Sequence, residues 1–205
     1  MKKYLLSVFS WLIMGCMALT VLPAQAASGP VEMLQSVADQ MIASLKANKT
    51  TLKQNPTLVY SLAYKIIVPH ADLDEMSKRV LPPQTWNSAT AGQREEFKRE
   101  FTRLLVRTYA SALAEYKDQT VRFYPVRGGY EGRSTVKVDS QIVRTDGPSI
   151  SVNYSLVSTG YGWRLYDMTV EGVSMLQSFR SQFSDQLSKG DMASLIRVLK
   201  QHNSR

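Results

Sequence analysis

Asp167 and Glu171 are spaced so that they could form a paired-carboxylate site. Two carboxylates hydrolyse glycosidic bonds when one donates a proton and the other acts as nucleophile or base. Both residues, however, lie where a strand-like segment meets the turn at Gly172, and acidic side chains at such places often accept hydrogen bonds from backbone amides. We interpret the pair as structural, and an enzyme that uses Asp167 or Glu171 in a cavity stays open as the alternative.

Histidine and cysteine are too sparse to favour other catalytic or metal chemistry. His70 and His202 are the only histidines, and Cys16 is the only cysteine. A zinc site or a Ser-His-Asp triad would have to use one of the two histidines. His70 follows a proline in a connecting segment, and His202 lies near the last residue. The sequence therefore predicts no catalytic residue, no metal site and no cofactor.

Two glycine-containing segments superficially match known motifs. The segment 128–134 has three residues between glycines where a phosphate loop has four, and Arg133 stands where that loop has lysine. We interpret it as a turn between strands. The segment 172–176 lacks the second glycine of a nucleophile elbow, and Ser174 is predicted to cap the helix that follows it.

The first residues have the three parts of a secretory signal peptide. Lys2 and Lys3 precede an apolar run over residues 4–22, and the small-residue cleavage site Ala24-Gln25-Ala26 follows that run. We expect cleavage after Ala26, so that residues 1–26 are removed and residues 27–205 form one exported domain. A lipoprotein anchored at Cys16 and an uncleaved membrane anchor are the two alternatives.

The composition is that of an ordinary globular domain. Hydrophobic residues make up 44% of the 205 residues and charged residues 20%, which excludes wholesale disorder, a collagen-like fibre and a polytopic membrane protein. The net charge of +8 favours anionic partners. Because the basic residues are scattered without a dense run, no nucleic-acid partner is predicted.

Apolar residues follow a helical period before residue 120 and again after residue 173. A capping box at Thr90 begins the clearest helix, which should extend for about 27 residues. Asn55-Pro56 is predicted to start another helix, with Asn55 as its N-cap, and Pro69 to stop it. The remaining helices are predicted over 31–47, 73–80, 174–188 and 191–201.

Between these helices the period becomes two, which predicts strands over 121–123, 135–143, 149–157 and 163–170. The connections are too short for crossover helices, so the sheet should be antiparallel and the fold α+β, with four or more strands. Val136, Val138 and Ile142 share one face of their strand, and the alternate residues from Ile150 to Leu156 share a face of the next. A long apolar helix against this sheet either fills the interface or encloses a cavity, and the pattern alone is compatible with both.

Several segments resemble one known family. The strongest are Tyr166–Met175 (YDMTVEGVSM), Phe179–Phe183 (FRSQF) and the final helix from Gly190 to Leu199. Trp86–Thr90 leading into Gln93–Phe97, and Arg107-Thr108-Tyr109, extend the likeness upstream. These segments are similar to the MlaC family of periplasmic phospholipid-binding proteins, once described as toluene-tolerance auxiliary proteins.

The resemblance implies a sheet packed by N- and C-terminal helices around a deep apolar pocket for the acyl chains of a phospholipid. It implies a monomeric, non-enzymatic periplasmic carrier that shuttles phospholipid between the membranes and maintains outer-membrane asymmetry. The implied partners are an inner-membrane Mla ATP-binding cassette transporter complex with a lipid-binding hexamer and an outer-membrane lipoprotein–porin complex. A structural adaptor with a filled core is a further alternative.

Eight residues are expected to contact lipid. The resemblance carries the pocket onto four of them, which are Tyr109, Leu113, Val152 and Val173. The other four are added because of the faces they occupy, and they are Phe101, Leu105, Tyr154 and Met175. For each residue, ordinary core packing is the alternative role.

Overall fold

A computed structural model of the chain describes residues 28–116 and 118–204. Within this part, the chain forms an α+β domain with a five-stranded antiparallel sheet, which confirms the predicted fold class. The helices are α1 (Pro30–Ala47), α2 (Lys49–Gln54), α3 (Leu58–Ile66), α4 (Leu73–Val80), α5 (Pro83–Ser88), α6 (Ala91–Ala114), α7 (Met175–Leu187) and α8 (Met192–Asn203). The strands are β1 (Thr120–Phe123), β2 (Thr135–Val143), β3 (Ile150–Thr159), β4 (Gly162–Val170) and β5 (Val173–Ser174).

The predicted signal peptide, its cleavage after Ala26 and the alternative at Cys16 lie outside the described residues. Across residues 28–116 and 118–204, no helix combines the length and the apolar character needed to cross a bilayer.

The sheet is a meander in which each strand pairs with the next, in the order β1-β2-β3-β4-β5. Val138 pairs with Tyr154, and Ile142 pairs with Ile150. Directly paired residues of an antiparallel sheet project to the same side. The apolar alternate residues of β2 and β3 therefore form one continuous face, which we call the inner face.

The pairing of β3 with β4 contains one β-bulge. Ser155 pairs with Asp167 while Leu156 pairs with Leu165, so that Tyr166 is the extra residue of β4. The bulged Tyr166 packs against the helices, and the guanidinium of Arg79 lies 4.5 Å from the centre of its ring. The bulge thus ties β4 to α4 at the sheet edge.

Local signals predicted the main helices well, with one error near Asn55. The capping box of α6 is present, with Thr90 and Gln93 exchanging side-chain and backbone hydrogen bonds. Asn55 does not cap α3, because its Oδ1 accepts a hydrogen bond from the Thr57 hydroxyl and the helix begins only at Leu58. Pro69 lies in a separate 3₁₀ turn (Val68–His70) after α3 has ended. The six-residue helices α2 and α5 were not predicted.

Three groups of buried residues form the core. The first, which we call the helical core, joins α4, α6, α7 and α8 around the rings of Phe97, Phe101, Phe179 and Phe183. The second joins α1, α2 and α3 to the later part of α6. The third packs Met33 and Leu34 of α1 against the inner face. Because α6 belongs to two groups and α1 to two, these helices connect the sheet with the rest of the fold.

Candidate functional site

The inner face is buried in its middle and open at one end. Val138, Val152 and Leu156 are at most 2% exposed. On the same face, toward the β2–β3 and β4–β5 turns, burial is incomplete, and Val173 is 64% exposed. The residues that line this open end are Val121, Ile142, Ile150, Val170 and Val173. An uninterrupted apolar strip therefore leads from solvent to the interior of the domain.

The last turns of α6 contribute two of the predicted contact residues, and both are half-buried. The Tyr109 ring packs edge-on against Phe179, with 6.2 Å between ring centres. Burial raises the pKa of the Tyr109 hydroxyl, and the negative charge of Asp167 raises it further. One turn later, Leu113 packs against the second group of core residues, which includes α1 and α3. The end of α6 thus presents apolar surface that the packing covers only in part.

Tyr154 and Val152 are adjacent inner-face residues of β3. Val152 is 2% exposed, and Tyr154 is half-buried with its ring centre 5.7 Å from that of Phe123. Burial raises the pKa of Tyr154, and a hydrogen bond with Ser140 opposes that shift. The centre of the inner face is thus apolar except for the hydroxyl groups of Tyr154 and Ser140, and Ser140 donates its hydroxyl to the Val152 carbonyl.

Phe101, Leu105 and Met175 lie in the helical core and are buried. The Phe101 ring is 5.5 Å from Phe179 and 5.6 Å from Phe183 in edge-on geometry. Of the eight predicted residues, the structure thus places these three and Tyr109 in or against the helical core, Leu113 against the second group, Val152 and Tyr154 on the inner face and Val173 at its open end. Contact of each with lipid stays a prediction.

Sequence reasoning did not select four residues of the open end, which are Val121, Ile142, Ile150 and Val170. Their alternation in the strands was a usable signal, because it places them on the face of Val152 once the strand register is known. Which end of that face the helices leave uncovered depends on tertiary packing, and no local pattern carries that information.

The two carboxylates considered for catalysis both bind backbone or hydroxyl donors. Asp167 accepts hydrogen bonds from the Leu176 amide at 3.0 Å and from the Ser174 hydroxyl at 2.7 Å. Glu171 accepts one from the Ser151 amide. Ser174 in turn caps α7 by accepting from the Gln177 amide at 3.0 Å. These bonds give both carboxylates structural partners, as the sequence interpretation expects, and the prediction that Ser174 is the N-cap of α7 is confirmed.

Burial lowers the pKa of His70, and the nearby charge of Arg164 lowers it further. In the described part of the chain, no group of three or more histidine, cysteine, aspartate or glutamate side chains could hold a metal ion.

A separate open groove of about 620 Å³ is bordered by α3, α4 and α6. Lys98 at its wall forms ion pairs with Asp74 at 2.8 Å and with Glu95 at 2.9 Å. Tyr64, Leu73, Arg99, Thr102 and Arg103 complete its lining. The groove contains none of the eight predicted contact residues.

Comparison with known proteins gives a consistent result. The family model described as MlaC protein matches residues 35–201. The toluene tolerance protein ttg2D of Pseudomonas putida is 29% identical over 164 residues, which are 80% of this chain and 75% of that protein. The intermembrane phospholipid transport system binding protein MlaC of Haemophilus influenzae is 26% identical over 185 residues, which are 89% of this chain and 86% of that protein.

A solved structure has the same fold. It is a phospholipid-binding protein of Ralstonia solanacearum in complex with a phospholipid, and it superposes with a TM-score of 0.79 at 28% sequence identity. The match covers 86% of this chain and 98% of the other.

Proposed function

This chain belongs to the MlaC family, and from that premise we propose that it carries phospholipids through the periplasm between the inner and outer membranes, maintaining outer-membrane asymmetry. It is a phospholipid-binding transport protein. The alternatives of a cavity enzyme and of a structural adaptor are not favoured.

The observation that carries the proposal is the apolar strip of the inner face. It begins at exposed Val173 and continues through half-buried Val170 to Val152, which is 2% exposed. Met168, on the same face, packs against the helical core, as Tyr109 of α6 does. Sheet and helices thus meet around partly covered apolar side chains, and we infer that acyl chains enter between them.

The free-energy cost of exposing acyl chains to water explains why a carrier needs an apolar site of this kind. Two acyl chains contain about 28 methylene groups, and exposing them to water costs on the order of 20 kcal/mol. A phospholipid therefore does not cross an aqueous compartment unaided at a useful rate. A carrier has only to bury the tails, and it breaks no bond and needs no cofactor. Release has to occur against another apolar surface, since release into water would meet the same cost.

In the proposed pathway, the partner complexes at the two membranes supply the apolar surfaces that lipid release requires. We infer that the protein docks, as a monomer, on an inner-membrane ATP-binding cassette transporter complex with its lipid-binding hexamer and on an outer-membrane lipoprotein–porin complex. Export by the signal peptide over residues 1–26 would place residues 27–205 in the compartment between them.

Native mass spectrometry of the mature protein purified from cell envelopes tests the proposal. We expect a stoichiometric mass adduct, identified by lipid extraction of the same sample as a diacyl phospholipid. A clean protein mass, together with no uptake of labelled phospholipid from vesicles, would contradict a carrier function and favour the adaptor or the enzyme.

A further inference from the structure

The turn between β4 and β5 contains a residue in an unfavourable backbone conformation. Glu171 has φ = 48° and is followed by Gly172 with φ = 83°. Glycine adopts positive φ readily, whereas glutamate does so rarely and with steric strain. Such a strained position persists only where the surrounding structure requires it, so the identity of residue 171 needs an explanation.

The hydrogen bonds of Ser151 explain why a glutamate occupies position 171. Val170 pairs with Val152, so the next pair in a regular ladder would be Glu171 with Ser151. The Glu171 amide does donate to the Ser151 carbonyl at 3.0 Å. Because the chain turns at Glu171, the Ser151 amide donates its hydrogen bond to the Glu171 carboxylate instead of to a backbone carbonyl. One residue thus makes both bonds to the start of β3.

We call the two hydrogen bonds between Glu171 and Ser151 the clamp, and it lies beside the open end of the inner face. Two residues after Glu171, Val173 is 64% exposed at the open end of the inner face and pairs only with Val170. On the α7 side, Asp167 holds Ser174 and Leu176. The β4–β5 turn is therefore fastened to β3 by Glu171 and to the start of α7 by Asp167.

We propose that Glu171 is a positioning residue for lipid binding, whose carboxylate fastens the β4–β5 turn to β3 and thereby fixes Val173 at the entrance to the inner face. The inference rests on the proposed function, because it assigns the open end as the route of the acyl chains. Loss of the clamp frees the turn, and the bound lipid leaves more often.

Three variants test the clamp. Glu171→Gly removes the carboxylate acceptor and also removes the steric strain of a side chain at positive φ. Because the two effects on stability oppose each other, the urea midpoint of unfolding should stay close to that of the unmodified protein. Glu171→Gln keeps an acceptor oxygen at the same reach and is the matched control. Glu171→Asn tolerates positive φ but is one methylene shorter, and it replaces the glycine variant if that variant does not fold.

The measurement is the rate at which protein loaded with dansyl-phosphatidylethanolamine transfers it to unlabelled vesicles of phosphatidylethanolamine and phosphatidylglycerol. We expect the rate to rise about tenfold in Glu171→Gly, because a hydrogen bond to a charged acceptor is lost, and to rise only about twofold to threefold in Glu171→Gln, which keeps the bond but not the charge. An unchanged rate in Glu171→Gly, or equal acceleration in Glu171→Gln, would overturn the assignment. Failure of the unmodified protein to take up the labelled lipid would instead contradict the proposed function itself.

Discussion

Leu113 offers the most direct test of the site at the scale of single residues. It is half-buried near the end of α6. If Leu113 contacts lipid, as predicted, an indole at this position takes space that the acyl chains need. We expect Leu113→Trp to fold, with a loss of about 1–3 kcal/mol of unfolding free energy, and to lower phospholipid occupancy at least about tenfold. Native mass spectrometry of the purified variant measures that occupancy.

Val143→Trp is the matched control for this substitution. Val143 is 40% exposed and lies at the same end of the sheet as the open end of the inner face. It follows Ile142 in β2, so its side chain projects from the face opposite the inner face. Its tryptophan variant should retain full occupancy. Normal occupancy in Leu113→Trp would remove Leu113 from the site.

Glu100 is the buried carboxylate that joins α6 to α8. Its side chain is 2% exposed and binds Arg103 at 3.2 Å and the Asn203 amide group at 3.0 Å. Burial by itself raises the pKa of Glu100, but the hydrogen bond from Asn203, the charge of Arg103 and the hydrogen bond and charge of Arg99 together outweigh it, so the pKa lies below its ordinary value. The stabilisation is therefore complete above pH 4.5, the ordinary value, and is lost as the pH falls through the lower pKa of the folded protein.

We expect Glu100→Gln to lower the unfolding free energy by about 2–3 kcal/mol at pH 7, because donors of Arg103 and Asn203 lose a charged acceptor. Urea unfolding at pH 7 and at pH 3 measures this difference, which should shrink at the lower pH. Glu95→Gln, at an exposed ion pair of the same helix, should change stability by less than about 1 kcal/mol. A difference for Glu100→Gln that is the same at both pH values would contradict the assignment of the shift.

The sequence could predict which residues of α6 face inward but not how deeply each is buried. Phe101, Tyr109 and Leu113 follow the same helical period. Phe101 is nevertheless 1% exposed, because three other phenylalanine rings surround it, whereas Leu113 is half-buried. The difference depends on what packs across from each turn, which comes from α7 and α8 in one case and from α1 and α3 in the other.

At the scale of elements, the junction between β4 and α7 depends on Asp167. Its carboxylate accepts from the Met168 and Leu176 amides and from the Ser174 hydroxyl. Farther along α7, Phe179 packs against Tyr109. We expect Asp167→Ala to lower the unfolding free energy by about 2–4 kcal/mol, because several donors lose one acceptor. Urea denaturation of the purified variant gives this value.

Asp167→Asn separates the structural role from the charge. It retains one oxygen acceptor and should lose about half as much stability as Asp167→Ala, with phospholipid occupancy preserved. If Asp167→Ala were as stable as the unmodified protein, the start of α7 would not depend on this carboxylate.

Element boundaries were predictable where a local signal fixes them. The capping box at Thr90 and the serine cap at Ser174 each bind an amide three residues later, and both helix starts were found from sequence. The short helices α2 and α5 contain too few turns to show an apolar period. The bulge at Tyr166 also escaped prediction, because it depends on the offset between β3 and β4 and has no residue signature of its own.

At the scale of the whole molecule, the site exists only where separate elements meet. The inner face comes from five strands, and the apolar surface across from it comes from α1, α6 and α7. Alternation within each strand predicted the sheet, and helical periodicity predicted the helices. Neither pattern shows that the helices cover the middle of the inner face and leave Val173 exposed, because that outcome is set by how the three groups of core residues pack together.

A carrier that closes around acyl chains should be more stable when loaded. A ligand at about one hundred times its dissociation constant adds about 2.7 kcal/mol to the unfolding free energy. For a domain of this size, that corresponds to a rise in Tm of about 5–10 °C. Differential scanning calorimetry of delipidated and reloaded protein measures the shift. Glycerophosphoethanolamine has the head group but no tails. It should leave the Tm of delipidated protein unchanged, because the stabilisation comes from buried methylene groups. Equal stabilisation by this tailless compound would show that the inner face does not hold the acyl chains.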